Sequence, residues 1–154
     1  MLFPYTQSGP ANLQAGRYGV AYSQYISAAI AGEAPAQTVI GNLYRLGLGV
    51  EQNLPEAPRW YLKAALQGYV PAQLNLAAVY MSGAGVPPRA DYAFGWYSLA
   101  AKSGDAQAAA QLNFMQRRIS ITPNQMSAAK RAFANLETVR RRYNRLGAAR
   151  FLVE

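Results

Sequence analysis

The chain has 154 residues, 51% of them apolar, which is enough for one domain with a core and excludes a wholly disordered chain. It contains no Cys and no His, which excludes disulfides, iron–sulfur clusters, thiol nucleophiles, Ser-His-Asp triads and ordinary zinc sites. Its formal charge of +8 is divided unevenly, with a net +1 over residues 1–116 and +7 over residues 117–154, so the basic character belongs to the C-terminal part.

The N-terminal segment, residues 1–17, is predicted to be irregular, because Pro4, Gly9 and Pro10 disfavour a helix there. Its first five residues are apolar and could lie in a groove of the folded chain. The segment lacks the basic and long apolar regions of a signal peptide, but a leader could have been removed, so the compartment stays open. No apolar run in the chain approaches the ~20 residues that a membrane-spanning helix needs.

An internal repeat of 36 residues organises the middle of the chain. Shifting the sequence by that length places Gly32 on Gly68 and then on Gly104. The same shift superposes two Trp-Tyr pairs, two Ala-Ala pairs and two Gly-x-Gly-Val segments, which chance does not align in one register. These are Trp60-Tyr61 on Trp96-Tyr97, Ala64-Ala65 on Ala100-Ala101 and Gly47-x-Gly49-Val50 on Gly83-x-Gly85-Val86.

Each repeat predicts two helices joined by a loop. The first helix has small and apolar residues at helical spacing and ends at Gly47 or Gly83, where glycine permits a left-handed exit. A loop rich in Gly and Pro follows, and the second helix carries the Trp-Tyr and Ala-Ala pairs. One such unit cannot bury its apolar face alone, so stacking on its neighbours stabilises it.

The repeat resembles the Sel-one-like repeat (SLR) family, a solenoid relative of the tetratricopeptide repeats, over roughly residues 18–117. The resemblance implies an α-solenoid that acts as an adaptor in multiprotein assemblies and is common in bacteria, and it implies no particular reaction. Some secreted relatives are hydrolases or penicillin binders, but they are rich in Cys, so their activity does not carry over. The matching positions are Ile40-Gly41-x-x-Tyr44-x-x-Gly47-x-Gly49-Val50, Trp60-Tyr61-x-x-Ala64-Ala65-x-x-Gly68, Leu76-Ala77-x-x-Tyr80-x-x-Gly83-x-Gly85-Val86 and Trp96-Tyr97-x-x-Ala100-Ala101-x-x-Gly104.

The ends depart from this pattern and set the predicted domain limits. Residues 18–31 read as the second helix of an incomplete unit, and a third unit opens at Gly104 but loses the motif at Gln116. The predicted fold is therefore an all-α solenoid of stacked antiparallel helix pairs over residues 18–118, with about two full units and a half-unit at each end. Residues 119–154 are predicted to form a basic amphipathic capping helix and tail.

The capping helix is predicted from a capping box at Thr122-Pro123-Asn124-Gln125 to about residue 146. Its apolar stripe is expected to cover the last repeat, and Arg140 projects near that stripe. The opposite face is predicted either to bind an anionic partner or to be a solvated face with arginines that complement the helix dipole. The anionic partner would be an acidic protein, an anionic lipid surface or nucleic acid. Nucleic acid is disfavoured because no recognition motif accompanies the charge, and a membrane surface fits less well still. The residues of this face are Lys130, Arg131, Arg141, Arg142 and Arg145.

The resemblance also implies that the first helix of each unit lines a concave face, where partners bind. Three of its positions would form an apolar stripe, which marks partner contact, internal packing or cover by residues 1–5. Those three are Leu74, Met81 and Phe114, and the full predicted set adds Thr38, Asn42, Arg45, Ala78 and Arg117. The N-terminal edge is predicted to be open, and its aromatic residues either bind a partner or pack on the N-terminal segment. These are Tyr18, Tyr22 and Tyr25.

Chemistry is sparse in this sequence. The seven carboxylates are scattered, and the Gly-x-Gly segments lack the Lys-Ser/Thr continuation of a phosphate loop. We therefore predict no enzyme activity, no cofactor and no metal. The predicted function is a non-catalytic protein–protein interaction adaptor or accessory subunit that contacts other subunits through the concave face and open N-terminal edge. The alternative is a module that binds an anionic partner through its C-terminal arginines.

Overall fold

The computed structural model describes the backbone of residues 5–154 and the side chains of residues 9–154. Within these residues the fold is all-helical, as predicted, and each helix packs on the next through most of the chain. No helix in this described part is both long and apolar enough to cross a bilayer. The helices are α1 (Tyr5–Gln14), α2 (Tyr18–Ile30), α3 (Ala34–Leu46), α4 (Glu56–Ala65), α5 (Val70–Ser82), α6 (Ala90–Lys102), α7 (Ala106–Arg118), α8 (Pro123–Ala132) and α9 (Leu136–Val153).

The 36-residue repeat of the sequence is repeated in the structure. Helices α3, α5 and α7 each have 13 residues and begin 36 residues apart. Gln37 donates from Nε2 to the Ala29 carbonyl at 3.1 Å, and Gln73 donates to the Ala65 carbonyl at 3.2 Å, so the same bond joins α3 and α5 to the helix before each of them. The predicted helix ends at Gly47 and Gly83 are confirmed, with φ of 66° and 73°.

The second glycine of each Gly-x-Gly-Val segment lies where one unit meets the unit before it. A β-carbon on Gly49 would run into the backbone of Tyr18, and one on Gly85 would run into the backbone of Leu54. Both glycines also have positive φ, at 70° and 84°. Each segment therefore lies against the backbone at or just before the start of the preceding second helix, and only glycine allows that approach.

The motif aromatics fill the core between the stacked helices. Tyr61, Tyr80 and Trp96 are fully buried. A β-carbon on Gly41 would lie 2.5 Å from a ring carbon of Tyr61, so the small residue brings α3 and α4 into close contact. Ala and Gly at the contact positions thus let the helices approach, and the rings occupy the remaining space.

The prediction that residues 1–17 are irregular is wrong for Tyr5–Gln14, which form α1 and include Pro10. Gly9 is buried and faces the ring of Tyr25, which is 4% exposed. The α1–α2 connection has no Gly-x-Gly-Val segment, so this pair does not follow the repeat register. The predicted groove-filling role of residues 1–5 concerns side chains that lie outside the described residues.

Because α1 covers α2, the predicted open N-terminal edge is wrong at its aromatic residues. Tyr25 is buried beneath α1. Tyr22 is half-buried, and its hydroxyl lies 3.0 Å from that of Tyr44 on α3. This hydrogen bond raises the pKa of Tyr44 to about 12. Tyr25 therefore packs on the N-terminal segment, which was the second predicted outcome, and Tyr18 and Tyr22 are half-buried against the same core.

The prediction of one continuous helix from residue 123 to about 146 is wrong, because the segment is broken between Ala132 and Leu136. A second break follows the predicted end, at Gly147, whose φ of 76° and ψ of 166° are not helical. The predicted capping box is present, with Thr122 accepting from the Gln125 backbone and the Gln125 side chain accepting in return. Helix α8 ends at Ala132, and Asn135 begins α9 by accepting a hydrogen bond from the Thr138 backbone at 2.9 Å. Phe133, between them, is buried in the core.

Helices α8 and α9 dock on the second helices α4 and α6 and do not close the end of the stack. Arg140 donates from Nε to the Leu66 carbonyl at 2.7 Å, which satisfies the C-terminal end of α4. Tyr80 donates to the Leu152 carbonyl at 3.0 Å. Buried residues of α7 are confined to Ala108 and Met115 in the part of the chain described, so α8 and α9 leave α7 largely uncovered. Their apolar residues, among them Ala129 and Phe133, instead pack in the core formed by α5 and α6 of the last full repeat.

Candidate binding surfaces

A groove lies between the first helices of the two full units, where α3 and α5 run beside the loop that follows α3. Its volume is about 570 Å³. Residues from both units line it, so the groove depends on the stacking of one unit on the next. We call it the first-helix groove, and its residues are Arg45, Leu46, Gln52, Leu54, Tyr61, Asn75, Ala78, Val79, Ser82 and Ala84.

A hydrogen-bonded network lies at the base of this groove. The Tyr61 hydroxyl donates to Asn42 Oδ1 at 2.7 Å and accepts from Arg45 Nε at 3.3 Å. Asn75 Nδ2 donates to the same Asn42 oxygen at 3.4 Å, which links α3 to α5. Burial raises the pKa of Tyr61, so its hydroxyl stays protonated and keeps donating. The network orients Arg45 through Nε and leaves its terminal nitrogens without a partner among the described residues.

The first-helix groove includes some of the predicted partner-binding residues and not others. Arg45 and Ala78 line it, and Asn42 belongs to the network beneath. The predicted exposure of Thr38 is wrong, because it is 6% exposed and its hydroxyl donates to the Ala34 carbonyl. Leu74 is half-buried against the core, so only part of its side chain is accessible to a partner.

The remaining predicted residues are exposed outside the groove: Met81 (36%), Phe114 (55%) and Arg117. The most exposed apolar residues of the lining were not predicted. Leu46 is 49% exposed and Leu54 is 38% exposed. The sequence does not single them out, since the loop between α3 and α4 also contains the apolar residues Leu48 and Val50, which are half-buried.

A second groove separates α8 from α9 and gathers four of the five predicted anion-binding residues. Its volume is about 570 Å³. The prediction placed these arginines on one face of one helix, but they lie on two helices across a groove. Lys130 is exposed on α8 outside the lining. We call this the arginine groove, and its residues are Ala128, Arg131, Ala132, Thr138, Arg141, Arg142 and Arg145.

Arg142 is the most constrained of these arginines. Its Nη2 donates to the Tyr92 hydroxyl, and its guanidinium lies 4.9 Å from the Tyr92 ring centre and 5.4 Å from that of Phe151. Burial, with smaller effects from Arg89 and Arg145, lowers the pKa of Arg142. The carboxylate of Asp91 is taken by Arg89, which forms two hydrogen bonds to it at 2.9 and 2.7 Å.

Neither groove carries a set of groups that suggests catalysis or a metal site. Within the described residues no cluster of three or more Asp, Glu, His or Cys residues is placed to hold a metal ion. The first-helix groove offers amide, hydroxyl and guanidinium groups beside apolar surface, and the arginine groove offers guanidinium groups. These groups can donate hydrogen bonds and, in the case of the guanidiniums, carry positive charge.

Comparison with known proteins identifies the repeat. The Sel1 repeat family model matches residues 34–69 and residues 70–105. The chain contains two Sel1 repeats. Each consists of one first helix, the Gly-x-Gly-Val segment and one second helix, so the predicted SLR resemblance is confirmed. No match is found among curated proteins.

Two solved structures share this fold. A Sel1 repeat protein from Oxalobacter formigenes is 28% identical, with a TM-score of 0.70, over 96% of this chain and 63% of its own. A protective antigen present in uropathogenic Escherichia coli strains, which displays an SLR fold, is 24% identical, with a TM-score of 0.77, over 91% of this chain and 32% of its own. The chain thus spans less than two thirds of the length of either structure.

The two grooves differ in their relation to the Sel1 repeats. The first-helix groove lies within the matched residues and arises where the two repeats meet. The arginine groove belongs to α8 and α9, which follow the last matched residue. Sel1 repeat proteins generally mediate protein–protein interaction, and the family is typically non-catalytic.

Proposed function

We propose that this chain is a non-catalytic adaptor or accessory subunit that binds a protein partner in the first-helix groove. The observation that carries the proposal is the composition of that groove, which places exposed Leu46 and Leu54 beside the oriented guanidinium of Arg45. Apolar surface next to a fixed polar group is typical of a protein-binding site.

The occupant that fits is an extended segment of a partner protein. One of its apolar side chains would lie between Leu46 and Leu54, and a carboxylate or carbonyl oxygen would accept from Arg45. Ala78 lies in the lining as a small residue, so the partner can approach α5 closely. Because Arg45 is already held by Tyr61, it loses less conformational freedom on binding than a free arginine would.

The test compares proteins captured by the intact chain with those captured by two groove variants. Ala78→Arg fills the groove, and Leu54→Asp places a charge on its apolar wall. The matched control is Ala109→Arg, which adds the same side chain at an exposed position of α7. Circular dichroism and thermal unfolding of each variant establish that it folds.

We expect one or more proteins to be captured by the intact chain and by Ala109→Arg but lost with both groove variants. Those proteins are then produced in isolation, and their affinities are measured with the same four chains. Groove variants that fold and still bind every captured partner with unchanged affinity would contradict the proposal.

A further inference from the structure

We propose that the arginine groove between α8 and α9 is a binding site for a phosphate-type oxyanion, either a phosphate ester or a pyrophosphate group. The site lies outside the Sel1 repeats and shares no residue with the first-helix groove. It would therefore give the adaptor a second ligand of different chemistry.

The arginine groove concentrates positive charge. Arg131 on α8 faces three arginines of α9, and the lining described above contains no Asp or Glu. Arg141 is the one member with an ion pair among the described residues, to Glu137 at 3.1 Å, and both of those side chains are well exposed, so water screens the pair. Four like charges around one groove repel each other, and a bound anion removes that repulsion.

The guanidinium of Arg142 is oriented before any ligand binds. The Tyr92 hydroxyl and the rings of Tyr92 and Phe151 hold Arg142 in one orientation at the wall of the groove. The carboxylate of Asp91 is occupied by two donors of Arg89, Nε and Nη2. Arg142 is thus a half-buried, oriented guanidinium with unused N–H donors and no ion-pair partner of its own within residues 9–154. That is the arrangement a charge-assisted hydrogen bond to a ligand requires.

A phosphate group suits this groove better than a carboxylate does. A carboxylate carries one charge and accepts one guanidinium fork, whereas a phosphate group carries about two charges and accepts from forks on several sides. Four guanidiniums on two facing helices match the second case. Ala128 and Ala132 contribute small side chains to the lining, which leaves room between the arginines for such a group.

The test measures binding of inorganic pyrophosphate and of a hexaglutamate peptide by calorimetry at physiological salt. The groove variant is Arg131→Gln combined with Arg145→Gln, because both residues are exposed and neither supports the core. The control is Lys130→Gln combined with Arg118→Gln, which removes two exposed charges outside the groove. Arg142 is left intact because its replacement would disturb Tyr92.

We expect the groove variant to weaken pyrophosphate binding by about tenfold or more, as loss of charge-assisted hydrogen bonds does, and the control to change it less than about twofold. Raising the salt concentration should weaken binding by the intact chain. Three results would overturn the proposal: no pyrophosphate binding, equal loss in the two double variants, or tighter binding of hexaglutamate than of pyrophosphate through the same arginines. Vesicles that carry phosphate headgroups and an oligonucleotide are then tested as competitors. A lipid or nucleic-acid phosphate that occupies the groove must displace pyrophosphate, so the competitor that does so identifies the source of the phosphate group.

Discussion

Phe133 occupies the space that a β-carbon on Gly95 would fill. The ring packs edge to face on Tyr92 and Trp96, with centroids 5.7 and 5.3 Å away. In the preceding repeat the position of Gly95 is taken by the exposed residue Arg59, 36 residues earlier. The second repeat thus differs from the first at the position that receives Phe133, and this contact helps to fix α8 and α9 on the solenoid.

Replacing Phe133 by Ala should lower the free energy of unfolding by about 3–5 kcal/mol, because it removes a buried aromatic ring and leaves a cavity. The matched control is Phe114→Ala, at a position that is 55% exposed, where the change should stay within about 0.5 kcal/mol. Urea unfolding of the three chains measures both effects. Equal stability of the two variants would show that α8 and α9 do not depend on this contact.

Replacing Gly85 by Ala should destabilise the chain more than replacing Gly104 by Ala. Both glycines have positive φ, at 84° and 91°, so each change costs about 1–2 kcal/mol of backbone strain. A β-carbon at Gly85 also collides with the Leu54 backbone, whereas nothing lies within 4 Å of one at Gly104. We expect about 1–3 kcal/mol of additional loss at Gly85 in urea unfolding. Equal losses would mean that the Gly-x-Gly-Val segment is not a contact between units.

The repeat body could be predicted because its signals are local and occur twice. The helix ends at Gly47 and Gly83 follow from the conformational freedom of glycine, and the positions of the Trp-Tyr pairs follow from helical spacing. Because each signal occurs in both copies of the 36-residue repeat, one copy supports the prediction made from the other. The capping box at Thr122 was predictable for the same reason, since its partner is three residues away.

The elements that were predicted wrongly depend on contacts between residues that are far apart in the sequence. Pro10 argues against a helix locally, but α1 packs on α2 through Gly9 and Tyr25, and this contact outweighs the propensity. The break between α8 and α9 follows from the burial of Phe133 against α6, which helical periodicity does not reveal. The arginine groove was predicted by residue but not by shape, because its two walls come from separate helices.

Stability should fall as the pH rises above about 10, the usual pKa of tyrosine. Burial raises the pKa of Tyr61 and Tyr80, and the hydrogen bond with Tyr22 raises that of Tyr44 to about 12. A raised pKa in the folded state means that the fold favours the protonated hydroxyl. Its contribution is therefore complete below the unfolded pKa and is lost as the pH rises through the folded value.

Urea unfolding at a series of alkaline pH values tests this direction, and tyrosinate absorbance follows ionisation in parallel. Tyr44→Phe should reduce the pH dependence between about pH 10 and about pH 12. A stability that is constant or rises over that interval would contradict the conclusion that the fold favours the protonated form of these hydroxyls.

Binding of a protein partner in the first-helix groove can be detected by site-specific photo-cross-linking. A small aliphatic diazirine side chain at Ala78 lies in the groove and is shorter than the arginine that would fill it, and the same side chain at Ala109 lies on exposed α7. The account predicts a covalent adduct with the captured partner from position 78 and none from position 109. An adduct from position 109 alone, with none from position 78, would contradict it.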